Sequence, residues 1–181
     1  MRAGMATIRR IESAEPRVID GLCALLIDAV HDGASVGFLA PLSRETALQY
    51  WKQALAMAGD GVVLWVAESG GEAVGTVQLN LCAKENGRHR AELQKLLVLR
   101  SHRGNGIAKA LLRAADEYAA ANGRTLLVLD TIAGSPAESV YRRLGWCKAG
   151  EIPDYAAMPD GELRATAYYY KRCLPSTESR A

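Results

Sequence analysis

The stretch Glu92–Ala121, ELQKLLVLRSHRGNGIAKALLRAADEYAAA, decides how the whole chain is read. Leu93 to Leu99 is almost unbroken aliphatic and short, the pattern of a strand buried on both faces. Arg100 to Asn105 is polar and carries positive charge and Gly104. Ile107, Leu111, Ala115 and Tyr118 then recur at helical spacing, and Ala108, Leu112 and Ala119 widen the same stripe. Asn122-Gly123 supplies a left-handed helix stop. The order is strand, basic glycine turn, helix.

A helix start presents unpaired N–H groups and the positive end of a dipole, so it favours an anion. Gly104 and Gly106 let the backbone approach a ligand and fold its amides into a concavity, while Arg103 and Lys109 add charge. That chemistry suits a phosphate. An ordinary strand-to-helix turn of glycine and solvated arginine has the same composition, so spacing alone leaves both readings open. Two common phosphate loops are set aside: Lys109 stands where the dinucleotide fingerprint needs glycine or alanine, and there is no GxxxxGK[ST] run.

Downstream, Thr125 to Asp130 reads as a second buried, parallel strand, with Asp130 at its carboxyl end. Ser135-Pro136-Ala137-Glu138 combines a capping box with proline at the first helical position, and Leu144-Gly145 ends that helix. Trp146 to Ile152 and Ala165 to Lys171 pair as the last strands around Pro159-Asp160-Gly161. Upstream, Val62 to Glu68 and Ala73 to Leu81 form a hairpin through Ser69-Gly70-Gly71-Glu72. The polar run Lys84 to Arg90 leads on to the central strand. A helix opens at Ser43-Arg44-Glu45 with Leu48, Trp51 and Leu55 inward; another runs from Pro16 to about His31-Asp32-Gly33 on Val18, Leu22, Leu25, Leu26 and Ala29. Ala6 to Ile11 is a short edge strand, and residues 1–5 are loose. The expectation is one α/β domain over residues 1–174, with a mixed sheet and helices on both faces, and a disordered polar tail over 175–181.

Composition narrows function. The 181 residues are 49% hydrophobic and 23% charged, as in an ordinary soluble globule. A net charge of +2 gives no broad field for nucleic acid or membrane. Four scattered cysteines without a CxxC pair and three separated histidines offer no metal-ligand spacing. No apolar run reaches membrane length and no signal-type apolar segment opens the chain, which reads as cytoplasmic.

VLRSHRGNGIAKALL resembles the acetyl-coenzyme A loop of the GNAT N-acetyltransferase family, with Arg103, Gly106 and Ala108 on its Arg/Gln-x-x-Gly-x-Gly/Ala pattern. Gly134-x-x-Ala137-x-x-x-Tyr141-x-x-x-Gly145-Trp146 is similar to a second family element, with Gly134 where the family has asparagine. HDGASVGFLAPL, AELQKLLVL, LDTIAGS and PDGELRATAYYYK together look like the tabtoxin-resistance branch, which acetylates a β-lactam amino-acid toxin. The resemblance implies the GNAT fold with a mostly antiparallel sheet. It also implies acetyl-coenzyme A as co-substrate, held by main-chain groups at Leu96, Leu97 and Val98 and by Arg103, Gly104, Asn105, Gly106, Ile107, Ala108 and Lys109. No metal is expected. The region between the first two helices would line the acceptor site, which puts His31, Asp32, Ser35 and Phe38 there, with Gln94 from the central strand. The chain would act as a monomer or homodimer on a small-molecule amine.

Acetyl transfer from a thioester to an amine needs a base for the ammonium, a donor for the oxyanion and an acid for the departing thiolate. Glu92 and Asp130 are carboxylates bordering aliphatic strands. A solvated or ion-paired side chain is the ordinary role for such an acid, and family members often recruit a strand acid here as a base. Period-two alternation sets Glu92 on one face with Gln94, Leu96 and Val98, four or five residues before the thioester, which requires a water relay. Asp130 would help hold that water; substrate ligand is an equally good role for either acid. Tyr141, which its place in a short capped helix would ordinarily make a core aromatic, is the candidate acid, because on the family pattern its hydroxyl faces the sulfur. Three readings stay open: acetylation of a small amino-acid-like amine, of a peptide N-terminus, or acyl-coenzyme A binding without catalysis.

Overall fold

Seven strands form one sheet in the order β1-β2-β3-β4-β5-β7-β6. In the computed structural model, which describes residues 6–13 and 15–173, the elements follow as β1 (Thr7–Ile11), α1 (Pro16–His31), α2 (Arg44–Ala56), β2 (Val62–Ser69), β3 (Glu72–Leu81), β4 (Arg90–Val98), α3 (Ile107–Ala121), β5 (Leu126–Ile132), α4 (Pro136–Arg143), β6 (Cys147–Ala157) and β7 (Leu163–Arg172). The loose start at residues 1–5 and the polar tail at 175–181 lie outside the described residues. Every neighbouring pair is antiparallel except β4–β5. Two cores result. One lies under α3 and α4 and includes Leu111, Leu112, Tyr141 and Tyr169; the other lies under α1 and α2 and includes Leu22, Leu26 and Trp51. Leu111 has no exposed surface, and truncating such a side chain costs about 2–5 kcal/mol.

Two features of β4 depart from a regular strand, and both bear on the site. Its parallel pairing with β5 holds only at Arg90↔Leu126, Ala91↔Leu127 and Glu92↔Val128. Beyond that point β4 stays with β3 and β5 stays with β7, so the sheet forks. The central strand is therefore not buried on both faces as its aliphatic run suggests: Ala91, Leu93 and Leu97 are buried, while Glu92, Gln94, Lys95, Leu96 and Val98 are half-buried at the fork. Asp130 is exposed, two residues short of the end of β5, and that strand too is only partly covered.

The second feature is a β-bulge. The β3–β4 register passes from Gln78↔Gln94 to Thr76↔Leu97, which sets Lys95 and Leu96 together against Val77. Lys95 carries φ 50°, a left-handed conformation for a side-chain-bearing residue. The extra residue inverts the alternation. Ala91 and Leu93 face the α3/α4 core, Leu97 turns to the α1/α2 core, and Leu96 and Val98 pack on the α3/α4 side. Glu92 therefore shares a face with Gln94 but not with Leu96 and Val98, which corrects the period-two expectation.

The glycine turn is seated by close packing. A Cβ on Gly75 of β3 would meet Ile107 Cγ2 at 2.9 Å, the Leu97 carbonyl oxygen at 3.1 Å and Leu111 Cδ1 at 3.2 Å. Only glycine lets the first turn of α3 lie this close to the sheet. The capping box at α4 is half formed. Ser135 is the N-cap, yet its side chain caps nothing and its buried Oγ has no partner. Glu138 reaches back instead to the Gly134 N–H, 2.6 Å from Oε2.

Candidate active site at the strand fork

Adjacent residues on a ladder share a face, so the fork has a defined composition. Gln78 opposes Gln94, Asn80 opposes Glu92, and Asp130 opposes Tyr168. All lie on the α1/α2 side. Tyr50 of α2 donates its hydroxyl to Gln78 Oε1 at 3.1 Å, and Gln78 Nε2 donates to Gln94 Oε1 at 3.3 Å. Phe38, from the loop after α1, meets Tyr50 edge-on with ring centroids 5.5 Å apart. Tyr155 of β6 meets Tyr168 in the same way at 5.6 Å. The Ala40 N–H donates to the Pro159 carbonyl at 2.9 Å, so the loop after α1 meets the β6–β7 turn.

Charge inside the fork is coupled. Partial desolvation and then the negative charge of Glu92 push the Asp130 carboxyl above its ordinary value, while Lys95 opposes the rise. Desolvation lowers Lys95, against the pull of Asp130 and Glu92. Tyr141 approaches from the other side, 8% exposed within α4, stacked edge-on with Trp146 at 5.9 Å. Burial, reinforced by Asp130, pushes its phenol well above the usual value. It stays protonated at any working pH, so it offers a hydrogen bond readily and a full proton transfer less readily. Tyr168 is also raised, chiefly by desolvation.

The basic turn follows at the open end of β4. Gly106, φ 78°, is the N-cap of α3 and Gly104 has φ 81°. Nothing lies within 4 Å of a Cβ built on either, so the turn borders open space. Ile107 is buried beneath the turn, Ala108 is half-buried, and Lys109 is exposed. Asn105 closes the loop through Nδ2 to the His102 carbonyl at 3.2 Å. Arg103 is less free than its sequence suggests: Nε donates to the Val98 carbonyl at 3.2 Å and Nη1 to Asp32 at 2.6 Å. Arg100 pairs with Asp28 at 2.8 Å and with Asp32 at 3.7 Å. Asp32 therefore sits with the basic turn, away from Glu92 and Asp130. His31 is exposed beside it, and Ser35 is half-buried in the loop leading to Phe38.

The sequence profile of the acetyltransferase (GNAT) family matches residues 26–146. This chain belongs to the GNAT acetyltransferase family. Its GNAT domain is 42% identical over 102 residues to rat N-acetyltransferase 8, covering 55% of this chain and 45% of that protein. It is 33% identical over 126 residues to an uncharacterized N-acetyltransferase of Azospirillum brasilense, covering 68% of this chain and 74% of that one. The chain spans about half the length of the rodent relatives it matches. The fold is similar to that of the GNAT superfamily phosphinothricin acetyltransferase of Sinorhizobium meliloti, solved in complex with acetyl-coenzyme A: TM-score 0.79, 20% identity, 97% of this chain and 92% of that one.

Within this GNAT frame, the expected site residues fall into three groups. Glu92, Gln94, Asp130 and Phe38 converge on the α1/α2 side of the fork, Tyr141 meets it from the α4 side, and Asp32 joins the basic turn before α3. Tyr50, Gln78, Lys95 and Tyr168 were not anticipated. Lys95 had a signal, as the one charged residue inside LQKLLVL. The others become visible only when the strands are paired. Among the described residues no cluster of three His, Cys, Asp or Glu side chains is arranged to hold a metal, and no helix is long and apolar enough to cross a membrane.

Proposed function

We propose that the chain transfers an acetyl group from acetyl-coenzyme A to the amine of a small amino-acid-like molecule. The observation that carries this reading is the fork itself. It leaves the β5-facing edge of β4 without a strand partner between Leu93 and Val98, directly before a basic glycine turn at the start of α3. An extended pantetheine arm takes the place of the missing strand, bonding main-chain groups near Leu96, Leu97 and Val98, while its pyrophosphate rests on the amides from Gly104 to Ala108. Lys109 adds charge there, and Asp32 holds Arg103 in place. A main-chain N–H at the Lys95–Leu96 bulge is the donor for the oxyanion.

The acceptor enters from the α1/α2 side, between Phe38, Tyr50 and Tyr168. Glu92 and Asp130 take up the ammonium proton, directly or through one water, and the free amine attacks the thioester carbonyl. The tetrahedral oxyanion collapses, the C–S bond breaks, and the second proton released from the attacking nitrogen ends on the departing thiolate, which Tyr141 hydrogen-bonds from the opposite face. A compact acceptor fits better than a polycation, because the walls at His31–Leu42 and Pro153–Gly161 carry few acids and Asp32 is already paired. The resemblance to the tabtoxin-resistance branch supports an antimetabolite amino acid as acceptor, with resistance as the cellular outcome.

Thiol release from acetyl-coenzyme A is the test, measured against amino acids, aminoglycosides, polyamines and peptides. Turnover confined to peptides or aminoglycosides would overturn the acceptor class, and coenzyme binding without turnover on any amine would overturn the activity. Tyr141→Phe keeps the ring and removes the hydroxyl; kcat is expected to fall tenfold or more with coenzyme affinity unchanged, the loss of a bond made in the transition state. Wild-type turnover in that variant would remove Tyr141 from the mechanism.

The two acids give a pH prediction. Asp130 acts deprotonated and its folded value is raised, so kcat/KM should rise with pH through an acid limb lying above the ordinary carboxylate range. Asp130→Asn should displace that limb. If Glu92 and Asp130 share one relayed water, the double variant Glu92→Gln/Asp130→Asn should lose less than the product of the single losses. Multiplicative losses would assign them separate roles.

A further inference from the structure

Lys95 is a cation in the fork that, among the described residues, has no counter-ion in contact. The bulge at φ 50° carries its side chain to the α1/α2 side, whereas unbroken alternation from Leu93 would have sent it toward α3 and α4. Its Nζ lies 5.0 Å from the centroid of the Tyr50 ring, a cation–π contact on a ring held by Gln78. Among the described residues its ammonium makes no ion pair and no hydrogen bond, although Glu92 and Asp130 are near enough to bias its charge. Arg100 and Arg103, outside the fork, are each paired with Asp28 or Asp32. A partly desolvated ammonium with three unspent donors is costly unless something anionic meets it.

We propose that Lys95 is a specificity-determining residue that binds the carboxylate of the acceptor, so that the substrate class is the zwitterionic α-amino acid. This rests on the acetyltransferase reading above. The two acids beside Lys95 demand an ammonium, and Lys95 demands an anion within a few ångströms of it. An α-amino acid carries both on one carbon. A simple amine satisfies the acids and leaves Lys95 unmet, while a polyamine or aminoglycoside brings further positive charge against it. Tyr50 and Phe38 then flank the side chain of the amino acid.

The test compares the twenty proteinogenic L-amino acids with their decarboxylated amines as acceptors, in the full chain with acetyl-coenzyme A, above the acid limb of activity. The wild type is expected to favour its best amino acid over the matching amine by tenfold or more in kcat/KM. In Lys95→Met that ratio should fall to within about twofold, chiefly through a raised KM for the amino acid. Lys95→Arg should retain most of the preference, and it supplies the test if the methionine variant is unfolded by circular dichroism. Three results would overturn the assignment: a wild type that acetylates amines as well as amino acids, a Lys95→Met variant whose losses are equal on both members of a pair, or a Lys95→Arg variant with no preference. Failure of the wild type on both sets would instead overturn the small-amine reading beneath it.

Discussion

Gly106→Asp is expected to weaken acetyl-coenzyme A binding tenfold or more, a loss of at least about 1.4 kcal/mol. The residue is the N-cap of α3 with φ 78°, and a Cβ there meets nothing within 4 Å. Aspartate tolerates left-handed backbone better than most residues, so the helix start survives the change with modest strain. What the substitution adds is a negative charge where the amides and the helix dipole would hold a pyrophosphate. Gly106→Ala isolates the strain: it carries the same positive φ without the charge, and it should lose less affinity than the aspartate variant. Titration calorimetry on both variants separates the two contributions. Equal affinities for the wild type and a folded Gly106→Asp protein would move the phosphate elsewhere.

Glu138→Gln is expected to destabilise the fold by roughly 2–3 kcal/mol, although the substitution preserves shape. Glu138 is 3% exposed, and each of its oxygens accepts a bond: Oε1 from the Tyr169 hydroxyl at 2.6 Å, Oε2 from the Gly134 N–H at 2.6 Å. Lys148 approaches Oε1 at 3.0 Å. An amide has one acceptor oxygen, so one of those two donors would face an NH2 group in the interior. The Tyr169 bond, followed by Lys148 and the Gly134 N–H, holds the carboxyl down to about 2. The sign follows from that depression. The stabilisation is present above the unfolded-state value of about 4.3 and is lost as pH falls toward 2. Thermal unfolding between those limits should be steeper in pH for the wild type than for Glu138→Gln. Parallel pH profiles would mean that the carboxylate contributes little. The consequence reaches the site, because Glu138 anchors the turn before α4 and so the placement of Tyr141.

The two predictions draw on different sources of information. The basic glycine turn at the start of α3 was legible because its physics is local: glycines, basic residues and a following apolar stripe lie within one short segment, and their period fixes strand, turn and helix. The order of the elements was legible for the same reason. Pro16, Ser43 and Pro136 mark helix starts, and Asn122-Gly123 and Leu144-Gly145 mark ends. The two carboxylates and Tyr141 were marked as candidates by residue type and by a family pattern, without their geometry.

Only tertiary structure decided the rest. The inversion of β4 follows from one extra residue opposite Val77, and no period in the sequence announces a bulge, because the aliphatic run reads equally well in either register. The fork is where β4 stays with β3 and β5 stays with β7 beyond Glu92 and Val128, and the β5–β7 pairing joins residues about forty apart in the chain. Asp32 reads as a free acid until α1 brings it to Arg103, and Glu138 reads as half of a local cap until Tyr169 and Lys148 reach it. Sequence determined which groups this chain owns and where its helices and strands begin. Long-range pairing determined which of those groups share a face, which charges are already spent on one another, and which, like Lys95, are left facing the fork.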